Sequence, residues 1–250
     1  MKLDVIMVPN EVRSAEFAER TVVVVDVLRA TSTMVEALAA GAKAIYPVAS
    51  IEEALRLVKT FGREEALLCG ERRCLPIEGF DLGNSPGEFT AERVAGRTLV
   101  MSTTNGTAAT AFASGAGRVL VASWLNLSAV VEHLVDTDAE PIFLCAGREG
   151  RFGLEDAVCA GTMMLRLTAA RTGAWKFNDG ALAARELARV PAFADPVVLL
   201  PATEAGQTLA AAGLAEDLSF CAQVDRHRGV PLLQDRHLIL PPEQPAPTGR

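Results

Sequence analysis

Residues 21–27, TVVVVDV, constrain the fold more than any other stretch of the chain. Four consecutive valines are apolar on both faces of a strand, so both faces need cover. Strands of that kind sit inside sheets flanked by helices on each side. The same character recurs at 3–8, 44–48, 66–69, 97–101, 118–122 and 141–145. Helical patterns fall at 33–40, 51–61, 107–114, 125–135, 154–171, 179–189 and 203–212. The alternation predicts a layered α/β/α architecture around a largely parallel or mixed sheet. Thr33 with Glu36, and Ser50 with Glu53, have capping-box spacing, which marks two helix starts. Gly41, Gly62, Gly115 and Gly213 stand where helices should end in a left-handed turn.

A chain of 250 residues is long enough for a substantial core. The expected organisation is a single α/β unit over 1–240, with two subdomains meeting at a cleft as the other form it could take. The Pro-rich run from Pro241 reads as a disordered tail. A formal charge of −7 argues against nucleic acid as a partner, because phosphate backbones want a basic face. The N-terminus lacks the apolar core of a signal peptide. No stretch is long and apolar enough for a membrane span. Five cysteines with no Cys-x-x-Cys pair read as reduced thiols in a cytoplasm. His133, His227 and His237 show no zinc spacing. A homodimer is the default assembly on general frequency.

Four predicted strands run into unusually polar loops: Asp26 to Thr33, Gly70 to Arg73 continuing to Pro86, Ser102 to Thr107, and Gly147 to Asp156. In open α/β sheets ligands bind outside the carboxyl ends of strands. Convergence of the four loops would collect helix N-termini near Thr33, Thr107 and Leu154, which favour anions. Ser32, Thr103, Thr104 and Asn105 add donors, and Gly106 allows close approach to the backbone. Arg29, Arg72 and Arg148 can clamp phosphate or sulfonate oxygens. Asp26, Glu71, Asp81, Glu155 and Asp156 would repel such a ligand unless a hard cation such as Mg²⁺ joined them. The combination points to metal-assisted phosphoryl chemistry. Each residue also has a plainer use. Thr33 and Thr107 can be caps, Glu155 and Asp156 suit the first turn of a helix, and Asn84-Ser85-Pro86 can be a turn. Asp26 resists such a use, since an unpaired carboxylate after four valines is costly to bury. Two of the loops also share a faint repeat, DVLRATSTMVEALAAGA (26–42) and VMSTTNGTAATAFASGA (100–116). Duplication and independent use of one turn chemistry both account for it.

No P-loop, clear dinucleotide fingerprint or G-x-S-x-G elbow is present. Cys145 with Arg151 has the Cys-x5-Arg spacing of thiolate phosphatases, but Leu144 stands where a His is usual. Asp26 could open an Asp-x-Asp phosphatase motif, but Leu28 occupies the second position.

The segments VVVVDVLRATSTMVEALAAGA, CGER, GFDLGNSP, STTNGT and CAGREGRFGLEDAVCAG, in that order, resemble the 2-phosphosulfolactate phosphatase (ComB-like) family. The likeness runs from about residue 3 to about residue 235. It implies an α/β fold of its own class and a Mg²⁺-dependent phosphatase that converts (2R)-phosphosulfolactate to sulfolactate and phosphate, a step associated with coenzyme M biosynthesis. The small anionic substrate would be its partner, with neither nucleic acid nor membrane involved. The matched motifs hold Asp26, Arg29, Ser32, Glu71, Arg72, Asn84, Ser85, Thr104, Asn105, Gly106, Glu155 and Asp156. The expected catalytic set is Asp26, Arg29, Glu71 and Arg72. Substrate contacts are expected from Ser32, Thr33, Asn84, Ser85, Thr104, Asn105, Gly106, Thr107 and Arg148, and Mg²⁺ ligands from among Asp26, Glu71, Glu155 and Asp156. A thiolate enzyme built on Cys145 and a non-catalytic small-anion binder are the alternatives.

Overall fold

The computed structural model describes residues 1–62 and 64–241. Its strands are β1 (Lys2–Ile6), β2 (Thr21–Val25), β3 (Ala44–Pro47), β4 (Ala66–Arg72), β5 (Leu75–Pro76), β6 (Thr98–Ser102), β7 (Arg118–Ala122), β8 (Pro141–Cys145), β9 (Lys176–Phe177), β10 (Leu232–Gln234) and β11 (His237–Ile239). Its helices are α1 (Ala30–Ala39), α2 (Ile51–Phe61), α3 (Ala91–Val94), α4 (Gly106–Phe112), α5 (Leu127–Asp136), α6 (Leu154–Ala170), α7 (Asp179–Ala188), α8 (Pro196–Ala202), α9 (Glu204–Ala211) and α10 (Ala215–Cys221). Among the described residues the strands join one mixed sheet in the order β5-β4-β6-β3-β11-β10-β7-β2-β8-β1-β9. The layered α/β expectation therefore holds, and all seven expected strands are present.

Two parallel blocks make up the sheet. In one, β6 lies between β3 and β4. In the other, β2 lies between β7 and β8, and β8 pairs with β1. The antiparallel hairpin β10–β11 joins them, since β10 pairs with β7 and β11 with β3. This hairpin is short and only partly apolar, so the sequence pattern did not reveal it. The valines of β2 are fully buried, as a strand covered on both faces requires. Val23 and Val25 face the core shared with α5, α6 and α7. Val22 and Val24 face the opposite layer, which holds Ala109 and Ala113. Helix α1 carries Met34, Val35 and Leu38 into a separate core with Ile45, Leu99 and Met101.

Helix starts follow the capping chemistry in one case of two. Ser50 accepts from the Glu53 backbone N–H at 3.1 Å, and Glu53 accepts from the Ala49 N–H at 3.2 Å. Thr33 and Glu36 do not form a capping box. Helix α1 begins three residues earlier, and both side chains have tertiary partners: Thr33 donates to the Asn84 carbonyl at 2.8 Å, and Glu36 receives Arg226 and His227. Thr107 does not cap α4 either. Its hydroxyl and that of Thr103 accept from each other's backbone N–H at 3.0 and 3.1 Å. Gly41, Gly62 and Gly213 take the left-handed backbone expected of them. At Gly115 the chain instead leaves α4 through a 3₁₀ turn, Ala113–Gly115. The segment expected as a tail lies outside the described residues apart from Pro241. Among the described residues no helix is long and apolar enough to cross a membrane.

Four strands separate β6 from β2. At about 4.8 Å per strand a flat sheet would hold their ends more than 20 Å apart. Yet a Cβ placed on Gly106, just beyond β6, would lie 2.6 Å from Asp26 Oδ2, just beyond β2. The sheet must therefore curve strongly between its two blocks. That curvature brings the loops of both blocks to one place.

Candidate active site

A cavity of about 280 Å³ opens at the carboxyl ends of β2, β4, β6 and β8. All four polar loops reach it, through Asp26 and Leu28 to Ala30, Glu71, Arg73 and Cys74 with Asn84, Thr103 to Asn105, and Gly147 to Glu149 with Glu155. Helix α9 supplies the remaining wall through Ala205, Thr208 and Leu209.

A ring of hydrogen bonds stitches the loops together. Glu71 Oε1 accepts from the Thr104 N–H at 2.7 Å, and its Oε2 accepts from the Cys74 N–H at 2.9 Å. Asn105 Oδ1 accepts from the Glu149 N–H at 2.9 Å. Asp156 accepts from the Val27 N–H at 2.8 Å and the Gly147 N–H at 3.0 Å. Thr33 closes the ring on Asn84. Each loop is thus held by a buried or half-buried side chain of another, which fixes the cavity's shape before any ligand arrives.

Charge in the cavity is deliberately close-set. Asp26 is 5 % exposed. Burial, reinforced by the Glu71 and Glu155 charges, lifts its carboxyl from 3.8 to about 7, against the opposing pull of the Ala30 N–H and Arg29. Burial likewise raises Glu155, while its own backbone N–H, Arg148 and the Thr203 hydroxyl draw it down. Against the acids stand three guanidinium groups, those of Arg29, Arg73 and Arg148. Arg148 pairs with Glu204 at 2.6 Å at the rim. Gly106 has to be glycine here, because a Cβ would press on Ala30 and on the Asp26 carboxylate.

The oxygen-rich donor set fits a hard divalent cation. Asp26 and Glu155 are buried acids that burial makes hard to ionise despite the nearby Arg29 and Arg148, and Asn84 Oδ1 is buried with no hydrogen-bond partner. Among the described residues no three His, Cys, Asp or Glu side chains form a cage by themselves. Mg²⁺ needs no such cage, since it takes one or two carboxylates and completes its shell with waters and phosphate oxygens.

Of the residues expected from sequence, Asp26, Arg29, Glu71, Asn84, Thr104, Asn105, Arg148 and Glu155 line the cavity. Others do not, each because its polar atoms are used elsewhere. Arg72 donates to the Ser102 carbonyl and hydroxyl and to the Glu71 carbonyl, locking β4 to β6. Ser32 donates to the Val27 carbonyl, and Thr33 and Thr107 make the internal bonds described above. Gly106 lies behind Asp26, and Ser85 holds Arg29 from outside the cavity wall. Asp156 accepts a backbone N–H bond on each oxygen and so braces the loops of β2 and β8 behind the cavity. Glu71 is similarly occupied, although it faces the cavity.

Cys145 lies wholly inside the core, where burial pushes its thiol well above its ordinary value. Arg151 is exposed and lies outside this cavity. The thiolate alternative is therefore corrected, as a buried neutral thiol cannot attack phosphorus.

Sequence reasoning missed Arg73, Asp217 and the α9 wall. Arg73 lies one residue past the end of β4, in a left-handed turn conformation, so strand alternation does not place its side chain. Asp217 carried no local signal.

The 2-phosphosulpholactate phosphatase family model matches residues 6–236. The chain belongs to that family. A protein of Symbiobacterium thermophilum named "Probable 2-phosphosulfolactate phosphatase" is 41 % identical over 227 residues, which cover 90 % of this chain and 96 % of the relative. Same-named proteins of Thermotoga petrophila and Carboxydothermus hydrogenoformans are 40 % and 38 % identical, each covering more than nine-tenths of both sequences. The match spans every loop of the cavity.

Proposed function

We propose that this phosphatase hydrolyses (2R)-phosphosulfolactate, or a closely similar phosphorylated hydroxy acid, to the hydroxy acid and inorganic phosphate, with Mg²⁺ as cofactor. The observation that carries the reading is the meeting of Asp26, Glu71 and Glu155 with Arg29, Arg73 and Arg148 in one small cavity. Such a set suits a three-carbon substrate bearing phosphate, sulfonate and carboxylate. A neutral substrate would make no use of the donors that Arg29 and Arg73 turn to the cavity.

Asp26 and Glu155 would hold Mg²⁺, which when bound polarises the phosphoryl oxygens. Arg29 binds the phosphoryl group and balances charge that builds on its oxygens as the ester bond breaks. Asp26 would also orient water for attack and accept its proton through the oxygen not turned to the cation. Glu71 holds Thr104 so that its exposed hydroxyl and the neighbouring Asn105 face the substrate. Arg73 and Arg148, nearer the mouth, receive the sulfonate and carboxylate. Tight loop bracing keeps these groups placed before binding, which is where most electrostatic catalysis originates.

The test is a phosphate-release screen over phosphorylated hydroxy acids, with EDTA and with added Mg²⁺. Phosphosulfolactate is expected to lead the series, with release abolished by EDTA and restored by Mg²⁺. Full activity in EDTA would refute the cofactor assignment. Strong binding of phosphosulfolactate without phosphate release would favour a non-catalytic anion binder.

A further inference from the structure

Asp217 lies on α10, outside every motif that pointed to the cavity, and it is 7 % exposed. Its Oδ2 accepts from Arg29 Nη1 at 2.6 Å and from the Ser85 hydroxyl at 2.8 Å. Ser85 Oγ in turn accepts from Arg29 Nη1 at 3.0 Å, and the Cys74 carbonyl accepts from Arg29 Nη2 at 2.8 Å. The guanidinium is thus framed on one side by three partners from three different segments, and its other donors are left to the cavity it lines.

Such a frame is needed because Arg29 has a choice of acids. Asp26, Glu71 and Glu155 line the same cavity, and a buried guanidinium free to turn would pair with one of them. Arg29 already exerts a pull on Asp26. A direct Arg29–Asp26 pair would occupy the donor meant for the substrate and the carboxylate meant for water together. Glu71 is kept from Arg29 by its two backbone partners. Asp26 has only one such bond, the long one from the Ala30 N–H to Oδ1 at 3.3 Å, which leaves Oδ2 open to Arg29, so the firmer restraint has to act on the arginine.

We infer that Asp217 is a positioning residue, which with Ser85 draws the Arg29 guanidinium away from Asp26 and aims its free donors at the phosphoryl oxygens. The inference rests on the reading above that Arg29 touches the anion. Because Asp217 comes from the C-terminal helices, the active site is complete only when α10 has docked against the loops of β2 and β4.

The experiment measures inorganic phosphate binding by calorimetry for the wild type, Asp217→Asn, Arg29→Ala and the double variant, with KM and kcat for phosphosulfolactate alongside. Asn keeps the shape of the side chain but removes the charge that competes with Asp26. Asp217→Asn is expected to weaken phosphate binding about tenfold or more. In the Arg29→Ala background it should add nothing, which a general structural role would not produce. Ser85→Ala, which removes one support, should give a smaller loss of about 2–5-fold and serves if Asp217→Asn fails to fold. Equal losses from Asp217→Asn with and without Arg29 would overturn the inference, as would unchanged phosphate affinity in both Asp217→Asn and Ser85→Ala. If Arg29→Ala itself leaves phosphate binding intact, the assignment of Arg29 to the anion falls, and this inference with it.

Discussion

Replacing Asp26 by Asn should stabilise the protein while destroying its activity, and the stabilisation should depend on pH in a set direction. Burial with two acidic neighbours lifts the Asp26 carboxyl from 3.8 to about 7. A raised carboxyl disfavours folding only where it is ionised, so the penalty is absent below pH 4 and grows as pH climbs towards 7. At 1.36 kcal/mol per pKa unit, the full penalty is about 4 kcal/mol at pH 9 and falls to about 2 kcal/mol at pH 5. Asn has nearly the same volume, and its oxygen can still accept the Ala30 N–H that bonds Oδ1 at 3.3 Å. Asp26→Asn should therefore recover most of that penalty and relieve Glu155 as well. For a chain of this length the gain corresponds to a rise in Tm of about 8–16 °C at pH 9. Urea denaturation of both proteins in EDTA at pH 5, 7 and 9 would measure it. A variant no more stable than wild type at pH 9, or one whose advantage grows as pH falls, would refute the reasoning that Asp26 is held ionised against its surroundings.

Cys145→Ser should keep kcat within about twofold while losing about 1–3 kcal/mol of stability, because a hydroxyl replaces a thiol in a sealed core; a phosphate-release assay with a melting curve checks both. Gly106→Ala should lower activity at least tenfold, since its methyl would displace the Asp26 carboxylate, and kcat measured against the Tm separates this from simple unfolding. Arg73→Ala and Arg72→Ala should part company. The first should raise KM about tenfold with little change in Tm, and the second should lower Tm through loss of the β4–β6 clamp with KM unchanged.

Much of the fold was legible because burial imposes periodicity. The valine run of β2 could only be a covered strand, and α2 could be bounded to the residue because Ser50 caps it and Gly62 ends it. Where the local signal had another user, the reading slipped. Thr33 and Glu36 have capping spacing, yet tertiary partners take both side chains and α1 starts at Ala30. The hairpin β10–β11, with three residues in each strand, and the seven-residue helices α8 and α10 are too short to show a period. The family likeness drew attention to the right loops but could not say which residue of a loop faces inward. Arg72 and Arg73 are neighbours of equal charge, and only the turn that follows β4 separates them.

The chain's order of strands, polar loops and helices, with acids and arginines placed after strands, is a property of sequence, because side-chain burial and capping act over a few residues. Whether those acids and arginines meet is not local. It depends on the curvature that carries the end of β6 to the end of β2, on a C-terminal hairpin wedged between two parallel blocks, and on Asp217 reaching Arg29 from 188 positions away. Contacts of that length are set by how whole layers pack, which leaves no mark within either segment alone.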